Sequence, residues 1–307
     1  MRNHAKRKTL LFFSVFIILT LACDIAINLI PDSGVPAAAE TPVPIEPFTT
    51  TPEVFISLTQ AIPATAIPTE VGTVMVTVDP LTINLPPALA EGVRGLQVPP
   101  AAGQDLPYWE LTPGHTIIEL EDYVLQEKFH KPQIYVYPAT AYAEIFPGAF
   151  ESMHRLRNVM NDPGMAISAD QLPAVPFFNA AQIFASNFRT ISFQNGSGVR
   201  FLTEYAQYFA TVNNYDLIYH FQGFTDDGEF YIIAILPVTA PALAETSDFE
   251  AVVPVGGIAF PDINDPNVDI QAYYASATDL LNATPSEAFT PALSQLDALI
   301  QSMRVNP

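Results

Sequence analysis

The sequence predicts an α+β domain in which helices pack on an antiparallel sheet, a meander, preceded by a disordered tether. Three observations predict it. Short β-branched and aromatic runs, joined by turns that contain Asn195-Gly196 and Asp227-Gly228, cluster between residues 183 and 236. Segments with helical periodicity stand before that cluster, at 142–161, and after it, at 269–281 and 289–303. Strands grouped in sequence with helices on either side belong to the α+β class. Ahead of all this lies a stretch that proline excludes from helix and central sheet.

The chain begins with Arg2, Lys6, Arg7 and Lys8, followed by the apolar run Thr9 to Ala22 (TLLFFSVFIILTLA) and then Cys23. A basic start, an apolar stretch and a small residue at the cut are the parts of a secretory signal. Of 12 Lys and Arg and 32 Asp and Glu, four basic residues fall in this segment. The rest therefore carries eight basic against 32 acidic residues, a formal charge of −24. Phosphate binding needs clustered Lys and Arg, so nucleic acid is excluded as a partner. The single Cys rules out an intramolecular disulfide.

Leu19-Thr20-Leu21-Ala22-Cys23 resembles a bacterial lipobox. That resemblance implies cleavage after Ala22 and lipidation of Cys23, which becomes a diacylated and often N-acylated (palmitate-type) N-terminus. Thr20 stands where the usual pattern has Leu. Two alternatives stay open. Residues 10–30 approach the roughly 20 positions that cross a bilayer, which would make an uncleaved anchor, although Asp24 and Asn28 fall inside that span. Simple secretion is the other. In each case the body faces the extracytoplasmic side, because the basic N-terminus stays inside.

Residues 1–22 are thus expected to be a signal peptide and 23–70 a lipidated N-terminus with a Pro/Thr-rich linker. Eight prolines fall in the 40 residues from Pro31 to Glu70, with no Lys, Arg, Tyr, Trp or His. Such composition gives a semi-extended spacer, which at about 3.1 Å per residue reaches on the order of 100 Å.

Residues 71–307 are expected to form a single α+β domain. Val71–Val78 alternates as a short strand. Pro86–Gly103 reads as a helical turn plus loop. Thr116–Leu125 and Gln133–Pro138 have strand character. Tyr142–Asn161 reads as a helix with Phe150, Met153, Leu156, Val159 and Met160 on its apolar stripe, stopped by Asn161-Asp162-Pro163-Gly164. Two hairpins follow. Ile183–Gln194 and Val199–Tyr208 flank Asn195-Gly196-Ser197-Gly198, and Tyr215–Phe224 and Phe230–Leu236 flank Thr225–Glu229. Asp269–Leu281 and Phe289–Met303 are helical, the second with Leu293, Leu296, Leu299, Ile300 and Met303 on one side. No internal repeat of 20–50 residues is present.

The order β-β-α-β-β-β-β-α-α, closing on Leu296-Asp297-Ala298-Leu299-Ile300-Gln301-Ser302-Met303-Arg304-Val305, resembles the PsbP/Mog1-type α+β fold over roughly residues 115–305. The resemblance lies in element order and implies a binding or assembly module in place of an enzyme.

The body's histidines are His115, His130, His154 and His220, and none lies in HExxH. Glu151 and His154 are placed at i, i+3 on a helix, the spacing of half a bundle metal site, but no second copy exists, so a solvated helix face is the plainer reading. Asp216 and His220 lie too far apart along one strand, about 13 Å at ~3.3 Å per residue, to form a dyad. Ser197 lacks the G-x-S-x-G context of a nucleophile elbow. The acid pairs Glu119/Glu121 and Asp226/Asp227 do not sit in an evident cleft.

Asp262, Asn264, Asp265 and Asp269 offer hard oxygens for calcium. Against this, Pro266 breaks the EF-hand pattern, and Asx-Pro clusters are ordinary turn and helix-start sequence, with Asn267 or Asp265 as N-cap. No other metal and no cofactor is expected. Tyr205, Tyr208, Tyr215, Tyr219, Tyr231, Tyr273 and Tyr274 could line a groove or pack a sheet.

The expectation is a lipid-anchored extracytoplasmic binding or assembly module, held at the membrane by its N-terminal lipid and with a protein or small-molecule partner unknown. The alternative is a cell-surface hydrolase using His220, Asp216 or His154.

Overall fold

A computed structural model describes residues 72–103, 105–161, 171–173 and 175–306. Ala22, Cys23 and the predicted signal and tether lie outside them. The centre of the fold is a seven-stranded antiparallel sheet. In chain order its strands are β3 (Gly92–Val98), β4 (His115–Glu121), β5 (Gln133–Pro138), β7 (Ser186–Phe193), β8 (Gly196–Thr203), β10 (Ile218–Thr225) and β11 (Phe230–Pro237). Their spatial order is β3-β4-β5-β11-β10-β8-β7. Two meanders therefore meet where β5 pairs with β11, in the register Tyr137↔Tyr231 and Tyr135↔Ile233. Two short strands, β6 (Ala181–Gln182) and β9 (Tyr205–Ala206), pair beside this sheet.

Strands buried on both faces read as continuous apolar runs, as β11 (FYIIAILP) does; β10 (IYHFQGFT) is buried throughout but carries the polar His220 and Gln222. Helix α1 (Ala139–Ile145) and helix α2 (Pro147–Asn161) cover one face. There Met153, Leu156 and Val159 meet Phe201, Ile218, Tyr231 and Ile233. Helix α3 (Ile270–Ala283) and helix α4 (Leu293–Ser302) cover the other, packing Leu281, Leu293, Leu296 and Ile300 against Tyr219, Phe221, Ile232 and Ala234. A second, three-stranded sheet joins this side. It consists of β1 (Val74–Val78), β2 (Leu81–Leu85) and β12 (Arg304–Val305), in the order β1-β2-β12.

Several expectations shift. Pro86–Gly103 opens with the expected turn, Leu89 N and Ala90 N donating to the Pro86 carbonyl, but continues as β3 and not as loop: an edge strand with Arg94, Gly95 and Gln97 exposed, paired Val93↔Leu120 and Gly95↔Ile118. The predicted helix 142–161 is two helices. Phe146 is extended (φ −143°, ψ 120°), the conformation that a following proline favours. Met153, Leu156 and Val159 of the predicted stripe are buried, whereas Phe150 is exposed and Ala149 faces the core in its place. The N-cap of α3 is Asp269, whose carboxylate accepts from Ala272 N, and not Asn267 or Asp265. Helix α4 begins at Leu293, four residues later than expected, with its predicted apolar stripe buried.

The first hairpin turns through Gln194 and Asn195, with Gly196 already paired to Phe193. Gly198 sits directly opposite Gly223. A Cβ there would stand 2.1 Å from the Gln222 carbonyl oxygen, so this glycine serves strand contact and not a turn. The second hairpin is as expected, with Gly228 at φ +73°. Strands β8 and β10 are neighbours joined by residues 204–217 and not by a short turn. That long connection carries the site.

Candidate functional site

The connection from β8 to β10 is organised by one side chain. Asn213 is fully buried. Its backbone N–H donates to Glu204 Oε1 at 2.8 Å, and its Nδ2 donates to Asp216 Oδ2 at 2.9 Å and to the Thr211 carbonyl at 2.9 Å. Its Oδ1 accepts from Tyr215 N at 2.8 Å and Asp216 N at 3.1 Å, an Asx turn. One amide thus fixes two carboxylates on the same side of the loop. Next to it, Asn214 Nδ2 donates to Glu245 Oε1 at 3.1 Å and its Oδ1 accepts from Ala240 N, joining the loop to the segment after β11. From α3, the hydroxyl of Tyr273 accepts from Val212 N at 2.9 Å and that of Tyr274 from Ala210 N at 3.1 Å.

The connection walls a cavity of about 540 Å³ that Glu204, Asp216 and His130 line together with Phe129, Phe178 and Tyr205. Tyr208, Tyr215, Asn179, Gln207 and Ser247 also line it. The rings form a chain of edge and tilted contacts. Tyr215 to Phe129 is 6.1 Å, Phe129 to His130 4.9 Å, His130 to Phe178 5.1 Å and Phe178 to Tyr205 4.6 Å. Phe129 and Tyr208 are each 62 % exposed, an unusual expense for large apolar side chains unless something covers them.

Burial pushes the Glu204 carboxyl well above the ordinary carboxylate range, and Asp216 adds like-charge repulsion. Asp216 is raised too, mainly by desolvation, against the hydrogen bond from Asn213. Desolvation lowers His130 to about 4, so its imidazole is neutral at pH 7. Among the described residues no Lys or Arg lines the cavity.

Sequence candidates separate in space. Tyr205, Tyr208 and Tyr215 line the cavity. Tyr219 and Tyr231 are fully buried in the sheet, and Tyr273 and Tyr274 serve as the backbone braces just described. His220 is completely buried. It accepts from the Tyr205 hydroxyl through Nδ1 at 3.3 Å, and its Nε2–H donates to the Val175 carbonyl at 3.1 Å. Gln222 Nε2 donates to the same carbonyl at 2.6 Å, and the Tyr231 hydroxyl donates to Gln222 Oε1. This network ties Pro173 and Val175 to the sheet and holds His220 neutral, its pKa lowered to about 3 by desolvation. Asp216 lies before β10 and not on it, and it makes no hydrogen bond with His220 among the described residues.

His154 faces outward, 3.2 Å from Asn158 Nδ2, with its ring over Phe150, while Glu151 is exposed. Ser197 lies within β8. Glu119 and Glu121 pair with Arg94 at 2.7 and 3.7 Å, and Asp227 is held by Thr225 Oγ1 and Glu229 N at a turn. The calcium candidates do not converge. Asp262 accepts from Asn264, Asp265 from Asn267, and Asp269 caps α3. Among the described residues no group of three or more His, Cys, Asp or Glu is placed to hold a metal, and no helix is long and apolar enough to cross a membrane.

Sequence reasoning passed over Glu204 and Asn213. Glu204 had one signal: it stands at the end of the strand-like run Val199-Arg200-Phe201-Leu202-Thr203, before Tyr205. Asn213 had none beyond turn composition. No protein-family model, curated protein or solved structure matches the chain.

Proposed function

We propose that the chain is a bacterial lipoprotein anchored through Cys23 on the extracytoplasmic side of the membrane, and that its α+β domain is a binding module whose ligand enters the aromatic cavity beside Asn213. The observation that carries the binding reading is the cavity's make-up. Five aromatic side chains, two of them largely exposed, surround two carboxylates held by a single amide. A concave, mostly apolar site with a few fixed polar groups is the usual form of a small-molecule pocket. The resemblance in element order to the PsbP/Mog1-type fold points the same way.

The hydrolase alternative loses its candidates. His220 spends both ring nitrogens on the sheet network. Neither Ser247 nor either carboxylate of the cavity is hydrogen-bonded to His130 among the described residues. A nucleophile or general base needs such a partner within reach.

The anchor is supported by the basic start, the apolar run and Cys23. Two acyl chains hold a protein on a bilayer where one does not. Cells expressing Cys23→Ala should release the protein from the membrane fraction and lose incorporation of labelled palmitate. Retention of the variant in washed membranes would remove the lipoprotein reading.

A further inference from the structure

We infer that the cavity beside Asn213 takes an organic ammonium ion, its cationic head seated between Asp216, Glu204 and the faces of Phe129, Phe178 and Tyr215. The inference rests on the binding-module reading above and names the class of ligand.

The first argument is the unspent acceptor capacity. Two carboxylates present about eight lone-pair sites. Asn213 supplies a backbone N–H and one NH2 group, the latter shared with the Thr211 carbonyl. Asp216 Oδ1 has no donor among the described residues. What the site lacks among the described residues is positive charge: Asn179, Gln207, Ser247 and the Tyr hydroxyls offer neutral donors, but no Lys or Arg lines it. His130 does not supply the charge, because desolvation keeps its ring neutral. The carboxylates in turn ionise more readily once a cation lies against them.

The second argument is the rings. Aromatic faces attract a cation by their quadrupole, by about 0.5–1 kcal/mol when exposed and ~2 kcal/mol or more when desolvated. Tyr215, Phe129 and, beyond His130, Phe178 belong to one chain of ring contacts and border the same cavity as the carboxylates. Aromatic walls with an acidic floor suit a cation that carries apolar substituents.

Other ligands fit less well. An anion would meet two carboxylates and no Lys or Arg. A bare metal ion gains nothing from Phe side chains, and no ligand triad is present among the described residues. A neutral sugar would stack on the rings but leave the carboxylates uncompensated. The adjoining depression, which shares His130, adds Glu119, Glu121, Asp122 and Glu127 against Lys128 and Lys131. Its acidic excess raises the local concentration of cations.

The test is calorimetric titration of the full-length protein in detergent micelles at neutral pH. The probes are tetramethylammonium, choline and benzyltrimethylammonium, together with the uncharged analogue of choline in which a tert-butyl group replaces trimethylammonium. At least one cation should saturate a single site, and the uncharged analogue should bind ~10-fold more weakly than choline or worse. Asp216→Asn keeps an oxygen for Asn213 and should weaken the cations by a similar factor while leaving the uncharged analogue unchanged. Tyr208→Ala, at an exposed rim position, should weaken both. Equal affinity for choline and its uncharged analogue, with no effect of Asp216→Asn, would overturn the ammonium assignment and leave the cavity as a site for neutral ligands. Failure of every cation to bind would overturn it as well. The anchor is read separately by fractionation of Cys23→Ala.

Discussion

Helix α4 is fastened to the sheet by one carboxylate, and removing it should be costly in a calculable way. Asp297 accepts from Arg200 Nε at 3.1 Å, from Arg189 Nη1 at 3.0 Å and from the Tyr219 hydroxyl at 3.0 Å. The Asp297 and Arg200 side chains are each 5 % exposed, whereas Arg189 is 59 % exposed. In Asp297→Ala, Arg189 can turn to water, so its loss contributes ~1 kcal/mol or less. Arg200 cannot turn away. It keeps only the Asn187 carbonyl among its strong partners, and an orphaned buried charge costs about 3–5 kcal/mol. The stranded Tyr219 hydroxyl belongs to the same desolvation cost and is not counted twice.

For a domain of this size, each kcal/mol lowers Tm by about 2–4 °C, so a fall of ~6–20 °C is expected by calorimetry, with a matching shift in urea midpoint at unchanged slope. The double variant Asp297→Leu with Arg200→Met removes both charges and should regain most of the loss, because an apolar replacement of a buried pair is often neutral. A loss under ~1 kcal/mol for Asp297→Ala, or a double variant as unstable as the single one, would refute the orphaned-charge account.

Two further outcomes concern pH. His220 has its folded pKa lowered from 6.5 to about 3, so its contribution is complete above pH 6.5 and is lost as pH falls from there toward 3, at about 1.4 kcal/mol per unit. His220→Gln should therefore lose less stability than the wild type between neutral pH and about 4.5; parallel curves from urea unfolding would contradict this. Glu204 is raised, so the stability tied to its protonated form is present below pH 4.5 and declines as pH climbs toward its folded value. Glu204→Gln keeps an oxygen for Asn213 N and should be more stable than the wild type at about pH 8, the difference closing toward about pH 4. A variant less stable at the higher pH would show that the carboxylate is favoured where it stands.

Legibility in the sequence followed burial. Gln133–Pro138 matches its strand at both ends, and Gly228 marks its turn because a left-handed residue there has a local cause. The stripe of α4 was visible because one face of that helix alone is buried. Where both faces are buried the two-residue alternation disappears, so nothing distinguished Tyr219 and Tyr231, which pack inward, from Tyr205 and Tyr215, which border the cavity. The turn glycines misled for a tertiary reason: Gly198 answers to Gly223 across the ladder. The cavity itself is assembled from Phe129, from Phe178 and from the β8–β10 connection that carries both Glu204 and Asp216, three segments far apart in sequence. Their convergence depends on how β8 and β10 lie side by side, and no local pattern encodes that.

The small sheet has a consequence for the timing of folding. Strand β2 is flanked on one side by β1, its immediate neighbour in sequence, and on the other by β12, through Leu81↔Val305 and Thr82↔Arg304. Asn306 Nδ2 reaches Thr82 across 224 positions, and Ser302 Oγ accepts from Asn84 N across 218. The β1–β2 hairpin can form early, but its second edge stays open until residues 302–306 have been made. Closure at such separation is slow. The layer thus stays incomplete throughout synthesis of the roughly 200 intervening residues, and its second edge is sealed only after them.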